Sequence, residues 1–188
     1  MEPSPQLWLV RHGETEWSRS GRHTGGTDLA MTPAGEAAAR SLVARLQGTE
    51  FERVLTSPLQ RARRTAELAG YPGAEPEPDL VEWDYGAYEG LTSATIHEGD
   101  PDWTIWTHGA PDGESVAAMS ARMDRVVLRL RESSGELLVF AHGHSLRALT
   151  ARWLGRPVGD GRLFTLGTAT VSVLGYEHDR PTVLRWNC

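Results

Sequence analysis

Residues 7–17 read LWLVRHGETEW: four apolar residues run directly into Arg11, His12, Gly13 and Glu14. An apolar run of that length closed by a glycine predicts a short buried strand. Such a strand does not ordinarily spend its last positions on an arginine and a histidine. The pattern returns twice. FERVLTSPLQRARRTAELAG (51–70) predicts a strand around Arg53 to Thr56 and then a helix. GELLVFAHGHSLRALTARWLG (135–155) predicts strand, turn and helix, with His142, Gly143, His144 and Ser145 at the turn.

Between these units the spacing is helical. In MTPAGEAAARSLVARLQG (31–48), Thr32 is a cap, Pro33 takes the first helical position and Gly48 follows the last turn; Ala38, Leu42, Val43 and Leu46 form the packing face. Ser57, Pro58 and Gln60 read as a capping box for the next helix, and Gly70 as its stop. ESVAAMSARMDRVVLRLRES (114–133) is an amphipathic helix, and TATVSVLGYEH (168–178) with PTVLRWN (181–187) reads as a closing pair of strands. Strands alternating with helices predict the α/β class: a three-layer α/β/α sandwich with a mostly parallel central sheet. Residues 71–113, rich in proline, glycine, acids and tryptophan, read as a helical and loop insertion over the C-terminal ends of the strands. Trp83, Trp103 and Trp106 read as packing for that insertion. The whole of 1–188 is expected to be one domain.

Composition narrows the chemistry. The formal net charge of −6 argues against a nucleic-acid partner. All 19 basic residues are arginine, so a Schiff base, a P-loop and a lysine base are excluded. The one cysteine, Cys188, ends the chain, so no disulfide framework or cysteine metal cluster is expected. MEPSPQ at the start carries no basic segment before an apolar run, and no stretch has the length of a membrane helix; a cytoplasmic protein with no membrane partner is expected. A homodimer through exposed strands or tryptophans is left open.

The three strand-to-helix junctions carry Arg11 and His12, then Ser57 to Arg61, then His142 to Ser145. In open α/β sheets these strand ends form the ligand crevice, and the helix start at Ser145 adds backbone N–H groups to it. Two arginines and two imidazoles suit a phosphate dianion, because guanidinium matches phosphate oxygens in its planar fork. One such charge pair at about 4 Å and an effective dielectric of about 20 contributes about 4 kcal/mol. His12 is the natural nucleophile, with neighbouring arginines depressing its pKa. A leaving alkoxide then needs a proton. Glu82, flanked by Val81 and Trp83, is the best donor, since apolar neighbours raise a carboxyl pKa; Asp84 and Glu89 compete with it.

Taken in order, RHGETEW, GRHTGGTDLAMTPAGE, TSPLQRARRTAE, EWDYGAYEG, GES and FAHGHSLRAL resemble the histidine phosphatase, or phosphoglycerate mutase-like, superfamily. The resemblance implies that His12 is phosphorylated, that Arg11, Arg61 and His142 complete the phosphate pocket, and that Glu82 is the general acid and base. It further implies substrate contacts from Thr24 and Gly25, and from Ser18, Tyr85 and His144 around them. EWDYGAYEGLTSATIHEG with the late FTLGTATVSVLGYEH looks most like a broad sugar-phosphatase branch that includes sedoheptulose-1,7-bisphosphatases. The activity implied is a metal-independent phosphatase without cofactor, acting on small phosphorylated metabolites such as sugar phosphates. A cofactor-dependent phosphoglycerate mutase is the alternative, weakened by Trp83 where mutases follow the glutamate with arginine. A catalytically inactive phosphate-binding module is the third reading.

Overall fold

The alternation of the first strand sets the layers. β1 (Leu7–Arg11) sends Leu7 and Leu9 to one face and Trp8 and Val10 to the other, and all four are buried, as the two-residue period of a strand requires. The computed structural model describes residues 5–188; residues 1–4 of the MEPSPQ segment lie outside the described residues. After β1 come α1 (Glu16–Ser20), α2 (Pro33–Ser41), α3 (Val43–Leu46), β2 (Phe51–Thr56), α4 (Gln60–Leu68) and β3 (Glu75–Pro76). The insertion continues with α5 (Ser93–Gly99) and α6 (Ile105–His108). Then follow α7 (Val116–Arg131), β4 (Glu136–Ala141), α8 (Gly143–Trp153), β5 (Val171–Glu177) and β6 (Arg180–Arg185).

The strands form one sheet in the order β3-β2-β4-β1-β5-β6. β3, β2, β4 and β1 run parallel, while β5 pairs antiparallel with β1 and β6 antiparallel with β5. Leu7, Leu9, Leu137 and Val139 pack under Met119, Met123 and Val126 of α7 and Leu146 and Leu149 of α8. Trp8, Val10, Leu138 and Phe140 pack under Leu42, Leu46 and Ala66 on the opposite face. The result is the three-layer sandwich. Each such aliphatic side chain contributes about 1.5–3 kcal/mol by leaving water. Among the described residues, no helix is long and apolar enough to cross a membrane.

Local readings meet corrections in three places. The helix expected to run unbroken from Pro33 to its stop at Gly48 breaks at Leu42, and Val43 is 44% exposed rather than packed. Successive helical residues stand about 100° apart, so the stripe that seats Leu42 and Leu46 turns Val43 outward. The capping box at Ser57 and Gln60 does not form: the N-cap of α4 is Leu59, and the Gln60 N–H donates to the Asp28 carboxylate at 2.8 Å. α8 starts at Gly143 with His142 as its N-cap, two residues before Ser145. Gly70 does end α4, with φ of 98°.

The insertion docks on the main core. Trp83, Trp103 and Trp106 are buried in the same apolar cluster as Leu7 and Leu9, and Trp83 meets Trp106 edge-on at 5.7 Å. Their indole N–H groups are satisfied where this is needed for burial: Trp83 donates to Glu114 O and Trp103 to Gly109 O, each at 2.8 Å.

Candidate active site

Because β2, β4 and β1 are parallel neighbours, their C-terminal ends open on one edge of the sheet. The ladder continues past each strand: His12 N–H donates to Ala141 O at 2.9 Å and Ser57 N–H to Phe140 O at 2.8 Å. The residues that follow are thereby held side by side. The rings of His12 and His142 lie 5.2 Å apart, and His142 Nε2 meets Ser57 Oγ at 2.7 Å.

His12 is 4% exposed, and its Nδ1 lies 2.7 Å from the Gly13 carbonyl oxygen. A carbonyl only accepts, so Nδ1 carries the hydrogen and Nε2 of the neutral ring keeps its lone pair. The imidazole is pushed well below its ordinary value, first by burial and then by the charges of Arg11 and Arg61. Burial, beyond the arginines expected from the sequence, is the larger cause. Gly13 is where the chain leaves the strand, and a Cβ there would lie 2.5 Å from Gly35 O.

Arg61 is 0% exposed. It donates through Nη1 to Thr27 O at 2.9 Å and through Nη2 to Thr24 O and Gly25 O at 3.1 and 3.0 Å. Its Nε–H reaches His142 Nδ1 at 3.1 Å, which leaves the His142 hydrogen on Nε2, directed to Ser57 Oγ. Burial, then Arg61, hold His142 well below the ordinary histidine value. Arg61 and His142 therefore stand behind the wall of the cavity rather than in it. Gly25, expected to touch substrate, is also set back: its N–H donates to the Glu89 carboxylate, and a Cβ there would lie 2.6 Å from Trp83 O.

The three competing acids separate cleanly. Glu89 is engaged by the N–H groups of Gly25 and Thr27, and exposed Asp84 accepts from Gly86 N at 2.9 Å. Only Glu82 among them lines the cavity. Its carboxylate accepts from Trp83 N at 3.0 Å, Ser145 N at 2.8 Å and His144 N at 3.0 Å. The helix-start N–H groups expected to meet a phosphate are thus occupied by this side chain, and polar donors replace the expected apolar sheath.

The cavity measures about 180 Å³, and Arg11, Ser18, Thr24, Tyr85 and His144 contribute to its lining beside His12 and Glu82. Arg11 Nε is buried and has no partner among the described residues, while its Nη1 donates to Leu166 O. The Ser18 hydroxyl completes the capping box of α1, accepting from Thr15 N–H at 2.9 Å and donating to Thr15 O at 3.0 Å. Tyr85 OH and His144 Nδ1 meet at 2.6 Å; burial pushes the phenol well up and the imidazole well down, so both are neutral near pH 7. Arg22, His23 and Arg147 also line the cavity and were missed in the sequence. Arg147 could have been found, because it follows His144 by one turn of α8 and shares its face. It lies 4.7 Å over the Trp106 ring and donates to Gly161 O.

Residues 7–188 match the histidine phosphatase superfamily (branch 1). The chain belongs to that superfamily. An acid phosphatase of Mycobacterium tuberculosis is 45% identical over 177 residues, spanning 92% of this chain and 87% of that protein. The sedoheptulose 1,7-bisphosphatase of Saccharomyces cerevisiae is 35% identical over 185 residues, spanning 81% and 68% respectively. A solved structure of a Mycobacterium tuberculosis protein has a TM-score of 0.92 at 42% identity and covers 97% of each chain. This histidine phosphatase is accordingly a phosphoric monoester hydrolase in class, with the fold of its family.

Proposed function

We propose that the protein hydrolyses phosphomonoesters of small metabolites through a phosphohistidine at His12, with Glu82 as general acid and then base. The observation that carries this reading is the His12 Nδ1–H bond to Gly13 O, which directs the unprotonated Nε2 away from the backbone as a nucleophile. In the first step Nε2 bonds to phosphorus and the bond from phosphorus to the ester oxygen breaks. The Glu82 carboxyl gives its proton to the departing oxygen. In the second step the Glu82 carboxylate takes a proton from water, the water oxygen bonds to phosphorus, and the P–N bond breaks. Phosphate leaves, and both side chains return to their starting protonation states.

Arg11, whose buried Nε–H has no partner among the described residues, supports the transferring phosphoryl group, and Arg61 with His142 braces it from behind. A cavity of about 180 Å³ lined by arginine suits a small anion. The names of the relatives, an acid phosphatase and a sugar bisphosphatase, support sugar phosphates or similar metabolites as the class. Trp83, buried with its indole on Glu114 O, supports water over a second substrate hydroxyl as phosphoryl acceptor, since it stands where the mutase reading needs an arginine.

His12→Ala is expected to abolish phosphate release from p-nitrophenyl phosphate, and rapid acid-free quenching of the parent enzyme is expected to trap an acid-labile phosphoprotein. Turnover that survives His12→Ala overturns the reading.

A further inference from the structure

Arg122, on α7, is buried and far from solvent for a guanidinium, and it does not line the cavity. Arginine has five N–H donors, and here every one is engaged. Nε and Nη2 hold the Glu114 carboxylate at 2.9 and 2.7 Å. Nη1 donates to Asp79 O at 2.6 Å and Val81 O at 2.8 Å, and Nη2 to Glu82 O at 3.4 Å. Three of the five bonds therefore end on carbonyls of the short segment that delivers Glu82.

Leu80 seats that segment in the apolar core and Arg125 and Arg129 hold the Asp79 carboxylate, but its backbone carbonyls lie outside regular structure. Beyond the single 3₁₀ turn at Pro78–Leu80 it joins no helix or strand, so its inward carbonyls depend on side-chain donors. α7, in contrast, is anchored in the main core through Met119, Met123 and Val126. Arg122 transmits that rigidity to the acid's backbone, while the N–H groups of α8 hold the acid's carboxylate. Glu114, the partner carboxylate, extends the clamp: its carbonyl accepts the Trp83 indole and its N–H donates to Asp84 O at 2.9 Å. A buried ion pair contributes little net stability against a well-packed apolar replacement, and its attested use is to specify geometry.

We infer that Arg122 is a positioning residue: clamped by Glu114, it sets the backbone of Asp79 to Glu82 so that the Glu82 carboxylate stays on the first turn of α8 and faces the cavity. This rests on the reading of Glu82 as proton donor. Arg122 itself touches neither substrate nor reacting atoms.

The test compares a phosphate ester with a good leaving group, p-nitrophenyl phosphate, with one that needs protonation, glycerol 1-phosphate, across four variants of the full chain. Glu82→Gln is expected to lose about 100-fold in kcat/KM, which reports the phosphorylation step and not the shared hydrolysis of phosphohistidine, on the alkyl ester and under about 5-fold on the aryl ester. Arg122→Gln should show the same selectivity, with a loss of at least about 10-fold on the alkyl ester alone, and Glu114→Gln the same in smaller degree. Arg125→Gln, which loses only contacts to the Asp79 carboxylate, should leave the ratio of the two rates unchanged. Retained aryl turnover certifies the fold in each preparation. If Arg122→Gln does not fold, Glu114→Gln decides: a selective loss supports the inference, and an equal or absent loss overturns it. Selectivity in Glu82→Gln without selectivity in either clamp variant overturns the positioning role alone. No selectivity in Glu82→Gln overturns the acid's assignment, and this inference with it.

Discussion

The carboxylate of Glu82 takes the backbone N–H of Ser145 at 2.8 Å, so an acid from the insertion closes the N-terminus of the helix after β4. One side chain thus serves as candidate proton donor and as helix cap. The two uses can be separated by substitution.

Glu82→Ala leaves the N–H groups of His144 and Ser145 without this acceptor, and the loss of such a cap costs about 0.5–2 kcal/mol. Urea unfolding of Glu82→Ala is expected to show a destabilisation in that range, and Glu82→Gln, which keeps one carbonyl oxygen, a smaller one. Equal stability of Glu82→Ala and the parent protein would show that the cap is dispensable.

Ser57 Oγ lies 2.7 Å from His142 Nε2 and fixes the direction of a ring whose other nitrogen is taken by Arg61. Ser57→Ala leaves a buried N–H unpaired, which costs about 1–3 kcal/mol. A fall of about 10-fold in kcat on p-nitrophenyl phosphate is expected if that ring braces the phosphoryl group, the lower end of that cost. Ser57→Thr retains the hydroxyl and should recover most of the loss. Full activity in Ser57→Ala would contradict the bracing role.

His12, His142 and His144 are all pushed well below the ordinary histidine value, each first by burial. The unfolded chain therefore binds protons that the folded one does not as pH falls below about 6.5, the unfolded value. Stability from these groups is fully present above that pH and is lost on acidification towards the folded values. Each contributes a slope of about 1.4 kcal/mol per pH unit within the window. Denaturant unfolding between pH 7 and 5 should show that steep fall, and His144→Asn should reduce the slope by about one proton's worth. A flat profile would rule out neutral burial of these rings. The neutral form of His12 persists into the same range, so loss of activity there should follow unfolding rather than protonation of the nucleophile.

Much of this molecule was legible in its residues because the signals are local. Alternation in LWLV and ELLVFA determined which side chains face which layer, since a strand's period is two. Thr32 marked a helix start and Gly70 a helix end, because caps act within one turn. The order of the polar blocks carried the family.

Tertiary structure decided what depends on partners distant in the chain. Asp28, not Ser57, takes the Gln60 N–H at the start of α4, while Ser57 Oγ meets Leu59 N–H and His142 Nε2. Which of Glu82, Asp84 and Glu89 would reach the cavity turned on where α8 and the 25–27 loop present backbone N–H groups, a matter of docking that no spacing encodes. Arg61 and His142 were recognisable as polar residues at strand ends, yet only the assembled sheet put them behind His12 instead of in the cavity wall. Arg122 looked like one more polar position on an amphipathic helix. Its five donors found their acceptors only when the insertion folded back over α7, because hydrogen bonds between remote segments exist only once packing has brought the segments together.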